Sequence, residues 1–127
     1  MARPTTPHDT VALFEQLLPL DPRVHRRFMF GCHCAFADGS MFLGVWGDRL
    51  FLRLNLADRA RIAQDHGAEA FDPMGGRPMR EYVVLPGAIA CDRQALADWI
   101  ALGFAYALSV VAKPKRARHA LSRSAIY

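Results

Sequence analysis

Apolar and polar residues alternate most regularly within residues 26–54, where three short apolar runs are separated by two turns. The turns contain Asp38-Gly39-Ser40 and Gly47-Asp48, and Gly/Asp turns between alternating runs are typical of β-hairpins. We therefore predict a three-stranded antiparallel meander, with residues 23–27 leading into its first strand.

Alternation also assigns faces, because successive side chains of a strand point to opposite sides of the sheet. In the first strand, Cys32 and Cys34 share a face with two aromatic residues, Phe30 and Phe36. His33 lies on the opposite face. The aromatic ends of the strand predict that the cysteine face is the core face.

The other two strands carry clear signals of packing. In the second strand, over residues 41–46, Gly44 predicts a bulge or a close approach of another segment. In the third, Leu50, Leu52 and Leu54 share one apolar face. We expect helices to cover that face.

The flanking pattern predicts three helices and two further strands. These are a first helix capped by Asp9 or Thr10, a helix over 55–66 capped by Asn55 and closed by Gly67, strands over 69–72 and 79–85, and a last helix capped by Asp92. The element order is α-β-β-β-α-β-β-α. We predict an α+β fold, a two-layer sandwich whose mainly antiparallel sheet is covered by helices.

The last helix carries no charged residue over 99–112 and is apolar on every face. Such a helix is buried on more than one side, and a chain of 127 residues has little material to surround it. We therefore expect a homodimer contact through this helix or through a sheet edge. The uncharged run is shorter than the ~20 residues that a bilayer requires, so we predict no membrane span.

Length and cysteine content favour one cytoplasmic domain. We expect a disordered N-terminus over residues 1–8, a single domain over 9–112 and a basic tail over 113–127. Three cysteines are too few for a disulfide scaffold and indicate a reducing compartment. The first residues lack the basic-then-apolar pattern of a signal peptide.

The net charge of +4 comes from the tail. Five basic residues and no acidic residue follow position 112, which leaves 11 basic and 12 acidic residues in the remainder. Nucleic-acid binding would therefore depend on the tail or on a local patch. The candidate contacts with nucleic acid or with a partner are Arg26, Arg27, Arg77, Arg80, Lys113, Lys115, Arg116 and Arg118.

Cys32-His33-Cys34 is the tripeptide with most potential for chemistry. A structural zinc needs four ligands, and the further candidates Cys91, His25 and His66 are not at motif spacing. Core packing is therefore favoured over a metal site. A nucleophilic thiol needs an adjacent base, whereas alternation separates His33 from both thiols. We predict no enzyme, no metal and no cofactor.

Several short patterns in the chain together resemble a known family. The family-motif residues are Met29, Phe30, Gly31, Asp38, Gly39, Met41, Phe42, Tyr82 and Trp99. In this order they are similar to the N-terminal domain of the TfoX/Sxy family, over residues 11–112. Because the chain stops after a short basic tail, it resembles a stand-alone N-terminal domain without the family's C-terminal helical domain.

The resemblance implies an α-β(3)-α-β(2)-α domain with an architecture like that of secretion chaperones. It further implies a non-enzymatic regulatory or protein-interaction module related to competence and transcription regulators. The alternative is a nucleic-acid-associated protein that uses the basic tail and an arginine patch. Tyr82 is expected to pack or to form a buried hydroxyl hydrogen bond.

Overall fold

The computed structural model describes residues 8–29 and 31–112. The helices are α1 (His8–Leu17), α2 (Leu56–His66), α3 (Gly87–Ala90) and α4 (Arg93–Ala112). The strands are β1 (Val24–Met29), β2 (Cys32–Ala37), β3 (Ser40–Trp46), β4 (Arg49–Arg53), β5 (Glu69–Ala70) and β6 (Tyr82–Val84). The strands form one antiparallel sheet in the order β1-β2-β3-β4-β6-β5, which confirms the predicted α+β class.

The predicted first strand is in fact two strands. Residues 23–27 were expected to lead into the meander, but most of them belong to β1, which pairs with β2 up to Met29 opposite Cys32. Gly31 has φ 76°, a conformation that glycine adopts without steric cost and that lets the chain reverse. The meander therefore has four strands. Phe30 lies outside the described residues.

The second half of the chain is less regular than predicted. β5 and β6 are shorter than the expected strands over 69–72 and 79–85. The loop between them is closed by Asp72, whose carboxylate accepts hydrogen bonds from the backbone N–H groups of Gly76 and Arg77. The short helix α3 was not predicted, because four residues are too few to produce a periodic pattern.

All four helices contribute to a core on one face of the sheet. Leu50, Leu52 and Leu54 lie in this core, as predicted. The helices add Phe14 from α1, Ile62 from α2, Ile89 from α3, and Leu96, Trp99, Ile100 and Ala107 from α4.

A second, smaller cluster is buried on the opposite face. It contains Cys32, Cys34, Phe51 and Phe71. The prediction that the cysteine face is a core face is confirmed, although this core is separate from the helix-covered one. Phe71 and Met79 of the 71–81 loop cover their face, and a loop can bury a sheet face without leaving a periodic signal in the sequence.

Two glycines allow close packing on either side of the sheet. A Cβ on Gly44 would lie 2.1 Å from Cζ of Phe51, so the predicted close approach is confirmed. The bulge lies elsewhere, between Ala35 and Phe36 in the pairing of β2 with β3. A Cβ on Gly103 would lie 2.8 Å from the carbonyl oxygen of Arg53, which shows how closely α4 crosses β4.

The predicted caps of α2 and α4 are confirmed, whereas the predicted cap of α1 at Asp9 or Thr10 is wrong, because α1 already includes His8. Oδ1 of Asn55 accepts a hydrogen bond of 2.8 Å from the N–H of Asp58, and Gly67 closes α2 with φ 70°. At the start of α4, Oδ1 of Asp92 accepts hydrogen bonds of 3.2 Å from the N–H groups of Gln94 and Ala95.

Candidate interaction surfaces

The strand β1 forms one edge of the sheet, and four of its six residues are exposed. Among the described strands it pairs only with β2. Its four central residues are exposed, and the side chain of Phe28 is 66% exposed although it is aromatic. An exposed strand edge presents backbone groups that another chain can pair with.

The register shows which backbone groups point outward. The carbonyl of Arg23 accepts a hydrogen bond from the N–H of Asp38, so these two residues stand at a hydrogen-bonded position of the β1–β2 ladder. In an antiparallel ladder hydrogen-bonded pairs alternate with non-bonded pairs along the strand. The N–H and C=O groups of Arg26 and Phe28 therefore point away from β2.

Arg26 and Arg27 lie on opposite faces of the sheet. Arg26 is opposite Ala35 in the register and forms an ion pair of 2.7 Å with Glu15 of α1. Arg27 is opposite Cys34, and its guanidinium lies 5.5 Å from the ring centroid of Phe36. The two predicted contact residues thus flank the edge from both sides.

The other predicted contacts lie elsewhere. Arg77 and Arg80 both lie in the 71–81 loop that precedes β6, and both residues are exposed. β6 is four strand positions from β1, on the order of 19 Å at the usual strand spacing. The predicted tail contacts Lys113, Lys115, Arg116 and Arg118 lie outside the described residues.

The family-motif residues have structural roles where they are described. Asp38 and Gly39 form the β2–β3 turn with φ 49° and 85°, as a two-residue hairpin turn requires. Tyr82 donates a hydrogen bond of 2.9 Å to the carbonyl of Met41, which confirms its expected hydroxyl bond. Phe42 and Trp99 are buried in the main core.

Cys32, His33 and Cys34 do not come together. The two thiols lie in the second cluster, whereas the His33 ring contacts Phe28 at 4.9 Å between centroids, on the helix-covered face. Burial, with a smaller contribution from Cys32, raises the pKa of Cys34 to about 11. A thiol with this pKa is a poor nucleophile at neutral pH, because the thiolate is the reactive form.

The described part of the chain contains no set of side chains that could bind the zinc ion considered above. Within residues 8–29 and 31–112 no three His, Cys, Asp or Glu side chains gather in a group that could hold a metal ion. Cys91 is exposed after α3, and the ring of His66 packs edge-on against Trp99.

One polar cluster was not predicted from the sequence; it is formed by Arg53, Glu81, Tyr106 and Ser40. The Glu81 carboxylate accepts hydrogen bonds of 2.8 and 2.6 Å from Arg53 and one of 2.7 Å from the hydroxyl of Tyr106. Arg53 also donates to Ser40 at 2.7 Å. The cluster joins α4 to β3, to β4 and to the residue just before β6. The spacing of these residues in the sequence gives no sign that they are close in space.

Glu81 has unusual backbone and electrostatic properties. Its φ of 77° lies in the left-handed region that non-glycine residues rarely adopt. Burial acts to raise its pKa, but the hydrogen bonds from Tyr106 and Arg53, together with the charges of Arg53 and Arg59, lower the pKa below its ordinary value. Burial, followed by the bond to Glu81, raises the pKa of Tyr106. The charged and hydroxyl groups of Arg53, Glu81 and Tyr106 therefore form hydrogen bonds with one another within the fold.

The second exposed surface is the outward face of α4. Only 28% of its most apolar 18-residue window is buried, and Leu102 and Val111 are 37% and 44% exposed. Ala101 and Ala105 are exposed on it as well. The helix is long and apolar enough to cross a membrane by length and composition, a test that core helices of soluble proteins also pass.

Comparison with known proteins gives one match. The comparisons with curated proteins and with solved structures found none. The TfoX N-terminal domain family matches residues 15–107, which include the whole of the sheet. This chain therefore belongs to the TfoX N-terminal domain family.

Proposed function

We propose that this chain is a non-enzymatic regulatory module that acts by binding a protein partner through the β1 edge and the outward face of α4. The observation that carries the proposal is the apolar surface of α4, whose side chains remain exposed in the folded chain. Exposed apolar patches of folded domains often mark interaction sites.

Family membership supports a regulatory, competence-related module at the level of the family. The chemistry of the described residues agrees with this role. In the polar cluster, the charges of Arg53 and Glu81 are paired with each other, and the Cys34 thiol has a raised pKa. Three cysteines are too few for a disulfide scaffold and fit a reducing compartment, so the proposal places the module in the cytoplasm.

Site-specific photo-crosslinking in the producing cell tests the proposal. A photoreactive amino acid replaces Ala105 on α4 or Phe28 on β1, and Gln64 on α2 serves as an exposed control position. We expect one identified protein to crosslink repeatedly to the probe at position 105 or at position 28. The probe at position 64 should give no crosslink to that protein.

The crosslinking result also separates the alternatives. Adducts that nuclease treatment removes would contradict a protein partner and favour nucleic acid. Crosslinking at all three positions alike, or at none of them, would contradict the proposed surfaces.

The proposed partner includes a second copy of this chain, as the apolar character of α4 suggests. Sedimentation of the full chain at micromolar concentration tests this arm. A dimer that Ala105→Glu dissociates, while Gln64→Glu does not, would place the contact on α4. A strict monomer would remove the homodimer from the proposal.

A nucleic-acid-associated protein is the second candidate function. The observation in its favour is the run of five basic residues after position 112 with no acidic residue among them. Phosphate neutralisation by such a run produces binding without sequence preference. In the described part, Arg26 is already paired with Glu15, and Arg26 and Arg27 face opposite sides.

A further inference from the structure

We propose that β1 binds an acidic segment of the partner protein as an added strand of the sheet. The inference rests on the proposed function, because it identifies the chemistry of the partner at one of the two surfaces. Its elements are the outward backbone groups of β1, its two arginines and the exposed Phe28.

The backbone of the edge fits another polypeptide. Arg26 and Phe28 each direct an N–H and a C=O outward, and an extended peptide offers a matching donor and acceptor at every second residue. The outward N–H of Val24 is already bonded to the carbonyl of Asp21, so pairing begins after that residue. A phosphate backbone offers acceptors alone and leaves the outward carbonyls unpaired.

The side chains of the edge select an acidic segment. Successive residues of an added strand alternate between faces, so two adjacent acidic residues would meet Arg26 on one face and Arg27 on the other. The residue that pairs beside Phe28 shares the face of Arg26 and is expected to be apolar. The recognised pattern is therefore an acidic pair next to an apolar residue.

A second copy of β1 fits this edge poorly. Two antiparallel copies centred on the arginines would place Arg26 or Arg27 opposite an arginine or opposite His25. Like charges directly opposite each other destabilise strand pairing. An acidic strand instead replaces Glu15 at Arg26, and that exchange costs little because both side chains of the pair are about half exposed.

Fluorescence anisotropy with a labelled synthetic peptide tests the inference on the full chain. The peptide carries Phe-Glu-Glu-Phe between threonines, so that it reads the same in both strand directions, and the control peptide carries Phe-Lys-Lys-Phe. We expect saturable binding of the acidic peptide alone. Arg26→Glu with Arg27→Glu should weaken it by about tenfold or more, whereas the equal charge change Arg77→Glu with Arg80→Glu should leave it within about twofold.

A second pair of variants separates strand addition from charge attraction. Arg26→Ala and Arg26→Pro lose the same charge, but proline also removes the outward N–H, and the ladder with β2 does not use that group. We expect Arg26→Pro to bind the peptide several-fold more weakly than Arg26→Ala, with unchanged circular dichroism. Equal binding by the two variants would contradict strand addition.

Other outcomes would overturn the inference. These are absence of peptide binding, equal binding of the lysine peptide, displacement of the acidic peptide by a DNA oligonucleotide at equal concentration, or a dimer that Arg26→Pro dissociates. Absence of peptide binding together with partner crosslinks at position 105 would remove the added strand and leave the proposed function intact.

Discussion

Gly44 determines how the second cluster packs. The Phe51 ring lies across this residue and stacks on Phe71, with centroids 4.1 Å apart and an interplanar angle of 7°. A side chain at position 44 would occupy the same space as Phe51. The missing Cβ is therefore part of the burial of the face that carries Cys32 and Cys34.

We expect Gly44→Ala to destabilise the protein by about 1–3 kcal/mol, the usual cost of overpacking a core. The free energy of unfolding in urea measures the effect. Gly87→Ala is the matched control, because a Cβ there meets no atom within 4 Å. Equal stability of the two variants would show that Phe51 moves aside without cost.

The thiols differ in access and in acidity. Cys91 is exposed, whereas Cys34 is buried with its pKa raised to about 11. Labelling with iodoacetamide at pH 8, followed by peptide mass spectrometry, should modify Cys91 first and Cys34 only slowly in the native protein. Urea should remove the difference. Rapid native labelling of Cys34 would contradict its burial and reopen a reactive-thiol function.

At the scale of elements, the Arg53–Glu81–Tyr106 cluster ties α4 to the sheet. The pKa of Glu81 is lowered in the folded protein, so its ionised form favours folding above the ordinary carboxyl pKa. That stabilisation is lost as pH falls from the ordinary value of 4.5 through the lower folded value. The attachment of α4 is therefore expected to weaken in acid.

Tyr106→Phe should cost roughly 1 kcal/mol at pH 7, less than a fully buried bond to a charged group, because the cluster is partly exposed. The cost should shrink as pH falls below the ordinary carboxyl value of 4.5 and through the lower folded pKa, because Glu81 then takes up a proton. Tyr82→Phe is the control, because its hydroxyl donates to the Met41 carbonyl, which does not titrate in this range. Urea unfolding at several pH values measures both, and an equal pH response would contradict the role of Glu81.

At the scale of the whole molecule, the charge is divided between a nearly neutral body and a basic tail. This division predicts where any nucleic-acid affinity resides. Replacing Lys113, Lys115, Arg116 and Arg118 by glutamine should reduce the salt dependence of DNA binding, by a slope of about 0.9 for each phosphate that the variant no longer neutralises.

Mobility-shift assays of the full chain across a salt series measure that change. The variant with Arg77→Gln and Arg80→Gln is the comparison within the body. Affinity that survives the loss of the tail charges but falls with the body charges would contradict the tail as the nucleic-acid contact.

Several features were predictable because they depend on neighbours in sequence. The Asp38-Gly39 turn, the cap at Asn55 and the closing Gly67 are local conformational preferences, and the structure retains them. The leucine face of β4 follows from strand alternation alone. The order of the family-motif residues was sufficient to indicate the family.

Tertiary structure decided the features that depend on distant segments. Whether Cys32 and Cys34 face helices or a loop depends on the 71–81 loop, whose path has no periodic signal. Glu81 pairs with Arg53, which is 28 positions away in the sequence, and with Tyr106, which is 25 positions away. The edge position of β1 depends on the order of all six strands, which the sequence alone does not give. The sequence contains the two arginines, and the fold places them on opposite faces of an edge strand.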